Sequence, residues 1–334
     1  MVPKKIGTHN GTFHCDEALA CALLKLLPEY STAEILRTRD PALLETCDVV
    51  VDVGAVYDAS KFRFDHHQKT FQETMHSLRA DFPWEIKLSS AGLIYFHYGE
   101  KILADLMKRP AEHRDTQTVY RKIYEEFIIE IDAIDNGVNM CDGDTRYRIN
   151  TGLSSRVGGL NPKWNEEQTP AAADRQFQLA MKLAETEFLD KVNYYSNAWL
   201  PAKELVREAI NKRYEVDKSG RIIELPQTGC PWKDHLFDIE EELGIQGELI
   251  YVIHTDTKSY RVQCVPLKLG AFDNRHSLPW RGLRDDELCR ESGIPGCIFV
   301  HASGFIGGNQ TRDGALEMAR AALKTYSPDN VSEK

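Results

Sequence analysis

The stretch KIGTHNGTFHCDEALACALLKLL, residues 5–27, passes from a short β-rich run at Lys5–Thr8, through a polar loop carrying His9 and His14, into an apolar helical pattern at Asp16–Leu27. Strand, loop and helix in that order form the first half of a βαβ unit. The order recurs downstream. Ala33–Thr38 (AEILRT) and Val49–Val53 (VVVDV) read as strands, the second a continuous apolar run of the kind buried in a parallel sheet. Phe62–Phe64 is a further short strand running into Asp65-His66-His67. Helices are predicted at about Ser89–Met107 and Thr118–Asp135, the second with Val119, Ile123, Phe127, Ile128, Ile131 and Ile134 on one stripe.

A polar stretch from Asn136 to Pro170 interrupts this pattern, and a long helical region from Ala171 to about Tyr214 follows, with Phe177, Met181, Ala184 and Phe188 at helical spacing. Beyond it the texture changes. Arg221–Pro226, Glu248–His254, Tyr260–Leu267 and Ile298–His301 are strand candidates, and Thr311–Tyr326 closes the chain as a helix. The expected fold is α/β: an N-terminal domain over 1–170 with a parallel sheet flanked by helices, a helical connector over 171–215, and a smaller C-terminal α+β domain over 216–334.

The 334 residues carry 41 Lys+Arg against 51 Asp+Glu, a formal net charge of −10, with 42% hydrophobic and 28% charged residues. This is globular composition with enough chain for two domains. No apolar run reaches the roughly 18 residues of a membrane-spanning helix. Met1-Val2-Pro3-Lys4-Lys5 leads straight into the first strand, so the expectation is a chain retained where it is made, in cytoplasm or nucleus. A net acidic chain argues against a protein that coats nucleic acid by bulk charge. The eight cysteines stand singly, with no C-x-x-C pair, and read as reduced thiols.

Histidines and aspartates gather at the carboxyl ends of the predicted strands, the edge at which open α/β sheets bind ligands. His9, His14 and Asp16 follow the first strand. Asp52 ends VVVDVG, and Asp65, His66 and His67 end the next strand. Asp132 and Asp135 lie i, i+3 on one helix face. Any one of these alone is an ordinary cap or surface residue; their conjunction along one βαβ series is not. Imidazole nitrogens and carboxylates without thiolates suit divalent ions such as Mn²⁺, with Fe²⁺, Co²⁺ or Zn²⁺ as alternatives. A central carboxylate such as Asp52 can bridge two ions about 3.5–4 Å apart that share an activated water, which implies in-line attack on phosphorus.

Asp65-His66-His67 resembles the signature triplet of the DHH phosphoesterase superfamily. Five ordered segments, THNGTFHCDEALA, VVDVGAVYD, FRFDHHQ, IDAIDNGVN and HASGFIGGNQTRDGAL, resemble its melanocyte proliferating gene branch from Ile6 to about Leu323. The resemblance implies an N-terminal DHH-type domain, two divalent metal ions, Mn²⁺ foremost, and 3′–5′ exonuclease activity on RNA or short single-stranded nucleic acid. It implies that His9, His14 and Asp52 hold one ion, and that Asp16, Asp52, His66 and either Asp132 or Asp135 hold the other, Asp135 being preferred. His67 would touch the phosphate and Asp65 would support the histidines. Relatives of this branch add mitochondrion and nucleus as compartments, and a homodimer is allowed. One departure stands out. The usual His-x-x-x-Asp-x-Asp motif has its central aspartate replaced by His14, which removes a negative charge.

In the second domain, FVHASGFIGGNQT (299–311) reads as a Gly-rich turn from strand to helix, able to bring backbone N–H groups to an anion. Gly307 and Gly308 carry that reading, and the resemblance adds His301 as a phosphate or ribose contact. Lys258, Arg261, Arg275, Arg281 and Arg284 are candidate phosphate contacts, and Trp280 can stack a base. Two rivals keep parts of this reading: a small-molecule phosphatase or pyrophosphatase with the same metal site, and a catalytically inactive scaffold.

Overall fold

The computed structural model describes residues 3–226 and 229–327. The chain divides into two compact units, Met1–Ser196 and Asn197–Lys334.

The first unit holds, in chain order, β1 (Lys5–Thr8), α1 (Cys15–Lys25), β2 (Glu34–Arg37), the single-turn α2 (Pro41–Leu44), β3 (Val49–Val51), β4 (Tyr57–Asp58) and β5 (Arg63–Phe64). The single-turn α3 (Met75–Leu78), α4 (Ser90–Met107), α5 (Arg114–Ile123), α6 (Ile129–Asp135), α7 (Leu153–Gly158) and α8 (Pro170–Tyr194) follow. The sheet order is β2-β1-β3-β5-β4, parallel except for β4, which closes the edge as the antiparallel partner of β5. Val49–Val51 is fully buried, as its unbroken apolar run requires in a sheet covered on both faces. Helix α1 is buried from Cys15 to Leu24 and packs against α4 and α8.

The helix expected over 118–135 begins earlier, at Arg114, and is interrupted by a π-helical turn at Tyr124–Ile128. That turn aims the Tyr124 hydroxyl at the buried Asp132, 3.0 Å away. Asp132 also accepts from the backbone N–H and hydroxyl of Ser89, at 2.9 and 2.7 Å, and from the backbone N–H of Gly92 at 3.1 Å. It therefore caps the N-terminus of α4, where unpaired amides favour a negative group.

Residues 171–215, expected as a connector, are shared between the two units. Helix α8 buries Phe177, Ala180, Ala184 and Phe188 in the first, with Phe177 edge-on to Phe13 at 5.5 Å. A second π-helical turn, Tyr195–Trp199, ends the run, and α9 (Leu200–Asn211) and the short α10 (Arg213–Val216) belong to the second unit. An amphipathic stripe signals burial without revealing which core it joins.

The second unit continues with β6 (Ile222–Glu224), α11 (Lys233–Leu243), β7 (Tyr251–Thr255), β8 (Tyr260–Cys264), α12 (Asp285–Ser292), β9 (Cys297–Val300), β10 (Ile306–Asn309) and α13 (Arg312–Leu323). Its sheet order is β6-β7-β8-β10-β9, antiparallel except for β6 with β7. Alternation sorts the two faces. Tyr251 and Ile253 join α13, whereas Val252 joins Val206 and Ile210 of α9 and Leu236 and Ile239 of α11. Strand β10 and helices α11 and α12 were not expected from the sequence.

A Cβ added at Gly92 would lie 2.4 Å from both Asp132 carboxylate oxygens. Gly92→Ala is accordingly expected to lower unfolding free energy by about 1–3 kcal/mol through overpacking, measured as a reduced urea midpoint with an unchanged slope.

Candidate metal centre

Three neighbouring parallel strands deliver the site. His9 follows β1, Asp52 follows β3, and Asp65-His66-His67 follow β5, all at the carboxyl edge of the sheet. Asp16 enters from the first turn of α1 and Asp135 is the last residue of α6. Together they line a cleft of about 910 Å³ rimmed by Arg39 and Lys87. Asp52 adopts a left-handed backbone with φ of +58°, followed by Gly54 and Ala55 at +96° and +53°. Aspartate tolerates that conformation better than most residues, and strain of this kind collects at functional sites.

Asp52 stands between two imidazoles. Its Oδ2 is 3.3 Å from His9 Nε2 and its Oδ1 is 3.1 Å from His66 Nε2. His66 Nε2 also lies 3.2 Å from Asp135 Oδ2 and 3.9 Å from Asp16 Oδ2. The sequence-derived residues His9, His14, Asp16, Asp52, His66, His67 and Asp135 thus meet in one place. Asp132 does not join them: its carboxylate is spent on Ser89, Gly92 and Tyr124. Asp65 accepts from the backbone N–H groups of His66 and His67 at 2.8 and 3.2 Å and of Ala55 at 2.5 Å. Its Oδ1 also meets His67 Nδ1 at 2.7 Å. That bond orients the His67 ring, whose side chain is 61% exposed.

The electrostatics are those of an interior overloaded with like charge. Burial and the neighbouring Asp52 push the Asp16 carboxyl up. Burial and Asp16 together carry Asp135 to about 8. Burial opposes charging of His9, but bonds with Asp52 and Glu17 outweigh it and raise the imidazole to about 10. His66 rises to about 9 in the same way, through Asp52, Asp16 and Asp135. Burial resists ionisation of Asp52, yet the two flanking imidazoles hold its carboxyl well below the usual carboxylate range. Asp16 Oδ2 accepts from Ser90 at 2.8 Å, whereas its buried Oδ1 meets no hydrogen-bond partner among the described residues other than the carboxyl of Asp135, which bears on Asp16. A carboxylate oxygen so placed in the interior calls for a cation. These oxygens and imidazole nitrogens fit a hard-to-borderline divalent ion.

Sequence reasoning missed Glu17. It is fully buried, its Oε1 lies 2.9 Å from His9 Nε2, and both its oxygens accept from the His14 backbone N–H, at 2.9 and 3.0 Å. The signal available was an acidic residue beside Asp16, which reads equally well as a favourable first-turn charge.

In the second unit, Gly307 and Gly308 lie in the interior strand β10 rather than in a turn. A Cβ at Gly308 would sit 2.8 Å from Arg261 Nη1 and 3.0 Å from the Phe299 ring, and one at Gly307 would sit 2.9 Å from Leu278. The glycines make room for side chains on both faces, which is why the pattern lacks branched residues. The N-terminus of α13 is capped by Thr311 through Gly314 N–H. Arg261 is paired with Asp256 and Ser259, and Arg275 is buried against both carboxylate oxygens of Glu240 at 2.7 Å. Trp280 packs on the core. His301 and Arg281 are exposed, with Ser303 N–H donating to His301 Nδ1 at 3.1 Å.

Residues 5–323 match the MYG1 exonuclease family, described as an uncharacterised protein family (UPF0160). The chain belongs to this family. It is 55% identical over 327 residues to the MYG1 exonuclease of Mus musculus, covering 97% of this chain and 86% of that one. It is 54% identical over 334 residues to the MYG1 exonuclease of Homo sapiens, covering 98% and 88%. The MYG1 protein of Dictyostelium discoideum is 47% identical over 335 residues, covering 98% of each chain. Among solved structures, the exonuclease RecJ bound to manganese aligns over 99% of this chain and 92% of its own at 14% identity. Its TM-score is 0.26, a likeness too weak to bear on fold or activity.

The alternatives at the i, i+3 pair separate by substitution. Asp132→Asn keeps an acceptor for Ser89 and is expected to leave divalent-ion stoichiometry unchanged, whereas Asp135→Asn is expected to lose one ion per chain, counted by plasma mass spectrometry after Mn²⁺ loading and desalting.

Proposed function

We propose that this chain is a metal-dependent 3′–5′ exonuclease acting on RNA or short single-stranded nucleic acid, with two divalent ions, Mn²⁺ foremost. The observation that carries the reading is Asp52 shared between two ligand sets, one through His9 and the other through His66, Asp16 and Asp135. The name of the mouse and human relatives, MYG1 exonuclease, supports the exonuclease part of the reading. His9, His14 and Asp52 would hold one ion, and Asp16, Asp52, His66 and Asp135 the other. When bound, the pair would lower the pKa of a water to make a nucleophile at neutral pH and would neutralise charge on the phosphate.

The chain's own groups set up the rest. Asp65 engages His67 Nδ1, which leaves Nε2 at the cleft to stabilise charge on a phosphate oxygen. Ser90 holds Asp16 by Oδ2, the oxygen that lies 3.9 Å from His66 Nε2. Arg39 and Lys87 at the cleft rim give an anionic strand end a favourable approach.

Asp52→Asn tests this, because asparagine also accepts a positive φ. The variant is expected to lose at least about 10³-fold in kcat/KM on labelled single-stranded RNA with Mn²⁺, with an unchanged circular dichroism spectrum. Phosphate release from pyrophosphate without RNA shortening by the parent chain would move the assignment to a small-molecule phosphatase.

A further inference from the structure

Around His9, three atoms able to bind a cation converge. His9 Nδ1 faces the Asn10 carbonyl at 3.1 Å, so with Nδ1–H donating there Nε2 is the ring atom available to an ion. Nε2 lies 2.9 Å from Glu17 Oε1 and 3.3 Å from Asp52 Oδ2, all three side chains being buried. Without an ion a proton on Nε2 bonds these oxygens; a divalent cation taking the place of that proton would find the nitrogen and both carboxylate oxygens set as its ligands. The two separations from Nε2 match the edges of about 3 Å between neighbouring ligands of an ion with bonds of about 2.1 Å. His9, His14 and Glu17 each also offer an atom to a common cluster, as do Asp16, Glu17 and Asp52.

Position in the chain leads to the same residue. Glu17 is fully buried one residue after Asp16. It stands on the helix turn entered from His14, where the first motif has lost a carboxylate.

We propose that Glu17 is a ligand of the ion held by His9, His14 and Asp52, the carboxylate of that set besides the shared Asp52. The inference rests on the two-ion reading above. Its competitor is a purely structural role: Glu17 caps α1 by accepting the His14 N–H. Glu17→Gln separates the two, because the glutamine carbonyl oxygen still accepts that N–H and the volume is kept, while the negative charge is lost.

The chain and its Glu17→Gln variant are loaded with Mn²⁺ alone, desalted and assayed for ions per chain, with affinities from isothermal titration and folding checked by circular dichroism. The parent chain is expected to hold two ions and the variant one, with affinity for the missing ion lowered about 100-fold or more. A folded variant holding two ions at parental affinity overturns the assignment of Glu17. A parent chain that holds no ion overturns the two-ion reading itself, a distinct outcome. If the variant does not fold, anomalous diffraction from parent crystals soaked in Mn²⁺ decides. A Glu17 oxygen within about 2.4 Å of an ion supports the proposal, and one beyond about 3 Å from an ion bound by His9 and Asp52 overturns it.

Discussion

Asp52 sits at the end of a buried strand with an imidazole on either side, His9 at 3.3 Å and His66 at 3.1 Å. An ionised carboxylate in that position is tolerable only because positive groups flank it. The first unit is arranged to meet this requirement. Three adjacent parallel strands end together, so the residues that follow them reach the same few ångströms, and α1 and α6 add Asp16 and Asp135 from the side. The arrangement supplies more carboxylates than imidazoles, and the imbalance is what makes a divalent cation the natural complement.

Each wall of the cleft is pinned by a buried polar side chain. Asp65 collects three backbone N–H groups and orients His67; Ser90 steadies Asp16; Asp132 gathers Ser89, Gly92 and Tyr124. Because α4 supplies both Ser90 and the helix end that Asp132 caps, the placement of Asp16 is tied to α6, which ends in Asp135. Groups able to hold metal are in this way held by groups that cannot leave their own partners, and the geometry is preorganised.

Much of the first unit was legible because buried parallel strands leave uninterrupted apolar runs, as at Val49–Val51, and because loops at strand ends have few other reasons to gather His and Asp. Residues of double meaning were harder. Asp132 and Asp135 share a helix face, and only packing shows that one caps a neighbouring helix while the other faces the cleft. Glu17 looked like a first-turn acid because it is one, its Oε1 turned to His9 as well. Strand β10 escaped notice since Ile306-Gly307-Gly308-Asn309 has the composition of a turn. Its glycines are dictated by Arg261, Phe299, Leu278 and Met318 on neighbouring elements, a tertiary demand that no local pattern carries.

The lock between Gly92 and Asp132 has a consequence for sequence drift. A side chain at 92 and a carboxylate at 132 occupy the same space, while a glycine at 92 facing a small residue at 132 would leave a void and unpaired amides at the head of α4. Neither position can change alone without loss. Across diverging chains of this fold the two should vary as a pair, and a sequence departing at one while keeping the other would mark a rebuilt α4 entrance.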